Sequence, residues 1–325
     1  MKVLITGGSG FIGTNLMQHF IDCGDSVVNI DISSPRNEAH RQLWQEIDIR
    51  HGAAFTRAVQ NFSPDIVLHL AARTDLDARS LAEYSANTEG VANLIQAIVG
   101  LPNLTRVIFV SSRLVCRIGY QPINELDYCP STLYGQSKVI GEQIVRAASE
   151  CIPCPWLIVR PTSIWGPWFD VPYKTFFISI AKGRYVHPGN RRILKSFGFI
   201  GNTIHELQQL IEAPVDSIFK KTLYLADYPP IDVAVMANAI QREIGSAPIR
   251  TFGATILWPV SWLGDCLKTL GWHNPPLTSF RLNNLLTPMV YDLAPLRTIV
   301  GDLPFTMEEG VRNTVAWLKS RGDIV

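Results

Sequence analysis

A tyrosine and a lysine four positions apart, Tyr134 and Lys138, carry the clearest chemical signal in the sequence. Residues at this spacing share one face of an α-helix, so the phenol and the ammonium should project the same way. A free tyrosine has a pKa of about 10, and a neighbouring ammonium is expected to lower that pKa. The pair predicts a proton donor and acceptor for an alcohol oxygen. Ser112, at the end of a predicted strand, should hydrogen-bond the same oxygen.

A glycine-rich turn follows the first predicted strand directly and leads into a helix. Its spacing is set by Gly7, Gly10 and Gly13. Glycine lets the backbone turn tightly and approach a pyrophosphate, and the start of a helix offers N–H groups to it. With the strand and the helix in place, this spacing predicts a dinucleotide-binding loop, which includes Phe11 and Ile12.

An acidic residue, Asp31, ends the second predicted strand. A carboxylate there can accept hydrogen bonds from the adenosine ribose and repels a 2′-phosphate, which favours NAD over NADP. Arg36 weakens that preference slightly. Asp48 and Ile49 are expected beside the adenine. With NAD bound, proton transfer at the tyrosine could accompany hydride transfer at the nicotinamide, whose ribose the lysine could bind.

Apolar, β-branched runs alternate with helical patterns in the first half of the chain. Predicted strands lie at 2–6, 26–31, 65–70, 106–110, 156–160 and 222–226, and predicted helices at 11–23, 53–61, 78–99 and 133–150. This alternation predicts an α/β protein with a Rossmann-type doubly wound parallel sheet and a smaller, mostly helical C-terminal substrate lobe. The expected NAD-binding domain covers residues 1–168, with about 195–225 returning to it. The expected substrate lobe covers 169–194 and 226–325.

Bulk composition narrows the function class. The chain has 325 residues, of which 47% are hydrophobic and 18% charged, so a sizeable core is expected. The formal net charge of +1 gives no reason to expect a nucleic-acid partner. The apolar run at 254–264 is too short for a membrane-spanning helix, which needs about 20 residues. It should be buried or lie at a lobe surface, with contact to a membrane surface as the less favoured alternative. Six cysteines should be reduced thiols in a cytoplasmic protein, and no metal site is expected.

The chain resembles the extended short-chain dehydrogenase/reductases of the NAD-dependent epimerase/dehydratase family, which act largely on nucleotide sugars. The resemblance rests on TGGSGFIG (6–13), HLAA (69–72), Asn87 with Gly90, VSSRLV (110–115), YGQSK (134–138) and RPTSIWGP (160–167). A weaker similarity continues through MEEGVRNTVAWL (307–318). It therefore covers nearly the whole chain.

The resemblance implies roles for individual residues. Ser112, Tyr134 and Lys138 correspond to the catalytic triad. Further cofactor contacts are implied for Leu70, Ala71, Ala72, Asn87 and Pro161. Substrate contacts are implied for Arg73, Ser112, Arg113, Ser163, Lys195 and Arg281, of which the lysine and the last arginine would face a diphosphate. The resemblance also implies a homodimer that pairs the helices at 78–99 and 134–150.

Several departures from the family pattern narrow the expected chemistry. Arg113 and Leu114 stand where dehydratases have an Asp–Glu pair, where decarboxylases have a glutamate and where some reductases have a cysteine. Cys116, Ser163 and Asn202 replace a tyrosine, an asparagine and an aspartate. What remains is a plain hydride-transfer site. Such a site suits a 4-epimerase acting on a nucleotide sugar, because one tyrosine can serve both half-reactions.

Other functions fit the same residues. A one-way 4-keto-sugar reductase needs no further group, and the segments 275–286 and 291–297 also resemble the 3β-hydroxysteroid dehydrogenase branch. An epimerase should retain NAD without net turnover of the cofactor. An oxidoreductase should change the nicotinamide absorbance in proportion to the substrate added. A third class, a cofactor-sensing binding protein, is disfavoured by the intact triad. The expected partner is a nucleotide-sugar substrate, with no nucleic acid and no membrane span.

Overall fold

The computed structural model describes residues 1–189, 191–272, 275 and 277–324. The chain divides into two compact units. The first contains Met1–Ile164, Gly198–Ala226 and Asp292–Pro304, and the second contains Trp165–Phe197, Asp227–Tyr291 and Phe305–Val325.

The strands are, in chain order, β1 (Lys2–Thr6), β2 (Ser26–Asp31), β3 (Trp44–Glu46), β4 (Ile66–His69), β5 (Arg106–Val110), β6 (Trp156–Pro161), β7 (Ser163–Trp165), β8 (Val186–Pro188), β9 (Leu194–Lys195), β10 (Phe197–Phe199), β11 (Thr222–Leu225), β12 (Ile231–Asp232) and β13 (Arg250–Phe252). The α-helices are α1 (Phe11–Asp22), α2 (Gly52–Phe62), α3 (Glu89–Ile98), α4 (Leu133–Ala147), α5 (Tyr173–Ala181), α6 (Ile200–Glu212), α7 (Val215–Ile218), α8 (Val233–Ile244), α9 (Ala254–Thr269), α10 (Ser279–Leu286), α11 (Ala294–Val300) and α12 (Met307–Ser320). Short 3₁₀ helices lie at Glu38–Leu43, Leu81–Asn87, Arg113–Val115 and Ser149–Cys151.

The first unit is built on a seven-stranded sheet in the order β11-β6-β5-β4-β1-β2-β3. All of its strand pairs are parallel. From β1 the chain adds strands on one side as far as β3 and then continues on the other side with β4. The place between β1 and β4 is the switch point at which doubly wound folds bind dinucleotides. The predicted Rossmann-type α/β fold is therefore confirmed.

Each central strand contains a continuous run of three or four apolar residues, as expected for a sheet that is covered on both faces. Val3, Leu4 and Ile5 of β1 are fully buried, and every residue of β4 is buried. Strands buried on both faces lose the polar alternation of a half-exposed strand, which explains these continuous runs. Phe55 of α2 and Leu94 of α3 belong to the apolar cluster that packs on one face of the sheet. The resulting core holds the ends of β1, β4 and β5 in fixed register.

Three details differ from the sequence expectations. β3 was not predicted. The helix expected over 78–99 consists of a 3₁₀ helix with a kink at Tyr84 (φ −98°, ψ 24°), followed by α3. Residues 292–304, expected in the C-terminal lobe, belong to the first unit, where α11 packs on α6.

The second unit is mostly helical, with two small strand pairs. β8 pairs with β13 in parallel and β9 with β12 in antiparallel. α8 packs against α12, and α9 packs against α10. Among the residues that the structure describes, no helix is long and apolar enough to cross a membrane.

Candidate active site

The start of α4 fixes the positions of the tyrosine and the lysine. Thr132 caps this helix by accepting a hydrogen bond from the Gly135 N–H at 3.0 Å. Tyr134 and Lys138 then lie one turn apart, and both are buried, with 7% and 8% of their surface exposed. The Lys138 ammonium donates to the Val110 carbonyl at 2.9 Å, which ties α4 to the C-terminal end of β5.

Ser112 lies just past the same end of β5, where its hydroxyl accepts the Leu114 N–H at 3.1 Å. Burial raises the pKa of Tyr134 to about 12, while a hydrogen bond with Ser112 and the charge of Arg113 act in the opposite direction. This differs from the sequence expectation, in which the lysine lowers the phenol pKa. Desolvation outweighs the favourable neighbours because the phenol is enclosed. The structure thus brings Ser112 and Tyr134 together and keeps the phenol protonated near neutrality.

The surroundings of Lys138 make its ammonium group easier to deprotonate. Burial lowers the pKa of Lys138 to about 8, and the nearby carboxylate of Glu142 raises it in part. Glu142 follows one turn later on α4 and accepts four hydrogen bonds. They come from Ser111 at 2.6 Å, Tyr128 at 2.9 Å and two nitrogens of Arg160 at 2.8 and 2.9 Å. This network supports α4 directly behind the lysine.

The glycine loop connects β1 to α1 and packs tightly against its neighbours. Gly7 has φ +75°, and a Cβ there would lie 2.6 Å from the Ala71 nitrogen. A Cβ on Gly13 would lie 2.2 Å from the Gly7 carbonyl oxygen. Both positions therefore require glycine. The first turn of α1, which includes Phe11 and Ile12, begins after Gly10, so its N–H groups point out of the N-terminal end of the helix, a position that suits an anion.

Asp31 lies at the end of β2, beside the glycine loop. Its two carboxylate oxygens accept the N–H groups of Ser9 at 3.1 Å and Ser33 at 2.9 Å. Burial raises the pKa of Asp31, and these hydrogen bonds lower it in part. A carboxylate has about four acceptor sites, so it retains capacity for the two hydroxyls of a ribose. The loop and this carboxylate fit a dinucleotide such as NAD.

The segment after β4 passes the end of β1, as expected for residues 70–73. The Leu70 and Ala71 N–H groups donate to the carbonyl and hydroxyl of Thr6 at 3.0 and 3.2 Å. Asn87 is buried and joins this segment to α4: it accepts the Arg73 N–H at 2.8 Å and donates to Ser137 at 2.9 Å. These contacts give Asn87 a positioning role, with its amide used within the protein. Ala72 lies in the same half-buried segment.

The other expected cofactor residues lie at the edges of this region. Asp48 forms an ion pair with Arg50 at 2.6 Å, which lowers its pKa. Ile49 is buried and packs against Gly90 of α3. Pro161 ends β6, opposite Leu225 of β11.

The residues expected to bind substrate are divided between the two units. Arg73, Arg113 and Ser163 lie in the first unit, and Lys195 and Arg281 in the second. The Arg73 guanidinium pairs with Asp75 at 2.7 Å and Glu83 at 3.0 Å. Arg113 and Ser163 are buried.

The two residues of the second unit that were expected to bind substrate both contact backbone carbonyls. The Lys195 ammonium donates to the carbonyl of Asn284, and Arg281 donates to that of Pro275 at 2.7 Å.

Sequence reasoning missed several residues that organise the site. One of them is Ser9, which ties Asp31 to the loop. Arg36, which was expected to weaken the NAD preference slightly, donates to the Ser9 carbonyl at 3.2 Å. Glu142 and Arg160 support the lysine from behind. The spacing of Glu142, four residues past Lys138, was a usable signal, because it places both side chains on one helix face. Among the residues that the structure describes, no cluster of side chains could hold a metal ion.

The fold and these residues define a dinucleotide-dependent enzyme of the short-chain dehydrogenase/reductase class. The model of the NAD dependent epimerase/dehydratase family matches residues 3–187, and the chain belongs to that family. The expected family and its cofactor, NAD, are thereby confirmed.

Relatives with different substrates cover almost the whole chain. A 3-beta-hydroxysteroid dehydrogenase of Mycolicibacterium neoaurum is 29% identical over 95% of this chain and 89% of its own length. An N-acetyl-alpha-D-glucosaminyl-diphospho-ditrans,octacis-undecaprenol 4-epimerase of Escherichia coli O157:H7 is 23% identical over 97% of this chain and 95% of its own. A structure of UDP-glucose 4-epimerase from Thermotoga maritima with UDP-glucose matches with a TM-score of 0.77 and 18% identity, over 99% of both chains. This last likeness shows the shared fold.

Proposed function

We propose that this enzyme is an epimerase that inverts C4 of a nucleotide-activated sugar. The observation that supports it most directly is the buried group formed by Ser112, Tyr134 and Lys138, next to positions 113 and 114, which carry no carboxylate. The reaction needs a group that removes and returns one proton on the sugar oxygen. It needs no second acid or base for eliminating water or CO₂.

In this proposal, Tyr134 removes the proton of the C4 hydroxyl and later returns a proton to the resulting carbonyl oxygen. NAD, held by the glycine loop and Asp31, would supply the hydride acceptor and donor for C4, and its positive ring would favour the phenolate. Ser112 holds the sugar oxygen by a hydrogen bond and stabilises the charge that develops there. Lys138, positioned by Val110 and Glu142, would hold the nicotinamide ribose.

The remaining residues are proposed to bind the two ligands. For NAD they are Gly7, Gly10, Phe11, Ile12, Gly13, Asp31, Asp48, Ile49, Leu70, Ala71, Ala72 and Pro161, while Asn87 positions the segment at 70–73. For the sugar nucleotide they are Arg73, Arg113, Ser163, Lys195 and Arg281, with the diphosphate held by the last two through charge and hydrogen bonds. A homodimer formed through α3 and α4 stays a prediction.

A second candidate is a one-way NAD(P)-dependent oxidoreductase acting on a 4-keto sugar or a sterol-like alcohol. It is favoured by the 3-beta-hydroxysteroid dehydrogenase relative, whose 29% identity extends over 95% of the chain. The same Ser112, Tyr134 and Lys138 would serve such a reaction. The two candidates differ in whether the hydride returns to the same substrate molecule.

Product analysis with stoichiometric cofactor measurement separates these candidates. The purified enzyme is incubated with UDP-, GDP-, CDP- and dTDP-sugars, and separately with 3β-hydroxysteroids, while the reduced-nicotinamide absorbance is followed. The proposal expects a C4 epimer of one sugar nucleotide, with many turnovers for each NAD and no net absorbance change. Reduced nicotinamide formed in proportion to an oxidised steroid or sugar would replace the epimerase proposal with the second candidate.

A further inference from the structure

Large apolar side chains are exposed in one part of the second unit, on and around α9. Eight of the twenty large apolar residues that are exposed in the described part of the chain lie between residues 252 and 280. All three tryptophans with exposed side chains are among them, where the structure describes the chain. We call six of these side chains the tryptophan surface: Trp258, Val260, Trp262, Leu263, Leu270 and Trp272.

The middle of α9 exposes apolar residues and buries small ones. Ser261 is fully buried and Gly264 is buried, Asp265 accepts the Ser279 N–H at the start of α10 at 3.2 Å, and Leu257 and Leu267 are half-buried. Trp262 is 68% and Leu263 56% exposed, while the exposed polar residues that the structure describes on this helix, Thr255, Lys268 and Thr269, lie near its two ends. A water-facing amphipathic helix buries its apolar residues, so this arrangement indicates that the outward face of α9 meets an apolar surrounding.

The outward face of α9 offers very little for hydrogen bonding with a protein partner. A typical protein interface forms about one hydrogen bond per 100–200 Å². Trp258, Pro259, Val260, Trp262 and Leu263 provide only the N–H groups of two indoles. The boundary between lipid headgroups and acyl chains matches this composition, because tryptophan prefers that depth and leucine and valine enter the acyl region.

The charged residues close in sequence to this face are mainly positive. Residues 250–289 contain Arg250, Lys268 and Arg281 but only one acidic residue, Asp265. Arg250 and Lys268 are exposed, while Asp265 is turned towards α10. Each basic residue near an anionic leaflet adds to its attraction, with a contribution that salt weakens. The charge pattern therefore complements a membrane that contains anionic lipids.

We propose that the tryptophan surface binds the enzyme to the surface of an anionic lipid bilayer. α9 would lie parallel to the bilayer plane, with its indoles at headgroup level and Lys268 at the phosphates. A helix of 16 residues is about 24 Å long, so it forms an elongated contact and stays on one side of the membrane. This inference is independent of the reaction that the enzyme catalyses.

Vesicle flotation with the full-length protein tests this proposal. The vesicles contain phosphatidylcholine alone or phosphatidylcholine with an equal amount of phosphatidylglycerol. We expect the protein to float with the mixed vesicles and to be released by salt. The variant with Trp262→Ser and Leu263→Ser should bind them at least about tenfold more weakly, because it loses two inserted apolar side chains. The variant Lys268→Glu should lose binding to the mixed vesicles, and its behaviour with vesicles of phosphatidylcholine alone should equal that of the wild type.

The matched control is Ile123→Ser, which removes an apolar side chain that is 88% exposed in the first unit and should float like the wild type. The substituted residues are exposed, so the variants should fold, as circular dichroism can verify. Absence of flotation in the wild type would overturn the proposal, as would equal flotation of the double variant. Sedimentation that shows a wild-type oligomer dissociating in the double variant, without vesicle binding, would assign the surface to a second copy of the chain.

Discussion

The carboxylate of Glu142 and the guanidinium of Arg160 form an ion pair at 2.8 Å, and their side chains are only 2% and 1% exposed. Burial lowers the pKa of Arg160, but the hydrogen bonds and charge of Glu142 outweigh that effect and hold the pKa above its ordinary value. Glu142 also accepts the Ser111 hydroxyl. The pair therefore joins α4, β6 and the end of β5 behind Lys138.

Removing one member of this pair should strongly destabilise the protein, because the other charge would remain buried without its partner. We expect Glu142→Gln to lower the free energy of unfolding by about 3 kcal/mol. Chemical denaturation of the variant and the wild type measures this difference. The control is Glu150→Gln, which breaks the exposed pair with Lys220 and should change stability by less than about 1 kcal/mol. Equal effects of the two substitutions would contradict this account of the network.

A second prediction concerns the glycine loop, in which Gly13 packs closely against Gly7. In Gly13→Ala, the new Cβ would lie 2.2 Å from the Gly7 carbonyl oxygen, so the loop must open. We expect NAD to bind at least about tenfold more weakly, because the backbone can no longer approach the pyrophosphate closely. Calorimetric titration with NAD measures this effect. The control Gly253→Ala has its nearest neighbour, the Thr255 hydroxyl oxygen, at 3.5 Å, and unchanged affinity is expected there.

Asp31 should determine the preference between NAD and NADP. Asp31→Asn keeps an oxygen for one backbone N–H but removes the charge that repels a 2′-phosphate. We expect the ratio of NADP affinity to NAD affinity to rise by about tenfold or more. Titration with both dinucleotides tests this. Glu46→Gln changes an exposed carboxylate on the adjacent strand, opposite Asp31, and should leave the ratio unchanged. A similar shift in both variants would mean that general charge sets the preference.

His69 should make the protein sensitive to mild acid. Burial lowers the pKa of His69 to about 3, whereas an unfolded histidine binds its proton near 6.5. Between these values only the unfolded state is protonated. The stability that the neutral imidazole confers is therefore present above about pH 6.5 and is lost as the pH falls towards 3.

We expect the wild type to lose about 2 kcal/mol more than His69→Gln when the pH changes from 7 to 5. Glutamine does not titrate and can keep a hydrogen bond to the Thr6 hydroxyl, which lies 2.8 Å from the imidazole. Denaturant unfolding of both proteins at both pH values measures the difference. Identical losses would mean that the folded protein accepts a proton at His69 without difficulty.

The sheet and the cofactor loop could be predicted because their signals are local. β1 and β4 are short apolar runs, and the glycines follow β1 immediately. β3 was missed because Trp44-Gln45-Glu46 is short and has no apolar repeat. Its position depends on tertiary contacts, including the hydrogen bond from the Trp44 indole to the Asp31 carbonyl at 2.9 Å.

Other features depend on burial, which spacing alone does not specify. The sequence correctly placed Tyr134 and Lys138 one turn apart, but the raised pKa of the phenol comes from its enclosure. The kink at Tyr84 lies just before Asn87, which contacts Arg73 in the segment after β4 and Ser137 on α4. Spacing alone does not specify these contacts, because they join separate elements. The exposed apolar face of α9 depends on Ser261 facing inwards, which the apolar run at 254–264 does not specify.

Turnover by Tyr134→Phe tests the central claim most directly, since this change removes one oxygen and keeps the ring. With a substrate that the wild type converts, we expect turnover to fall by at least about a hundredfold, with NAD affinity unchanged within about twofold. Tyr120→Phe, which removes a hydroxyl that contacts Asp127 at 2.9 Å, should retain wild-type turnover. Turnover of Tyr134→Phe close to that of the wild type would contradict the assignment of this phenol as the group that transfers the proton.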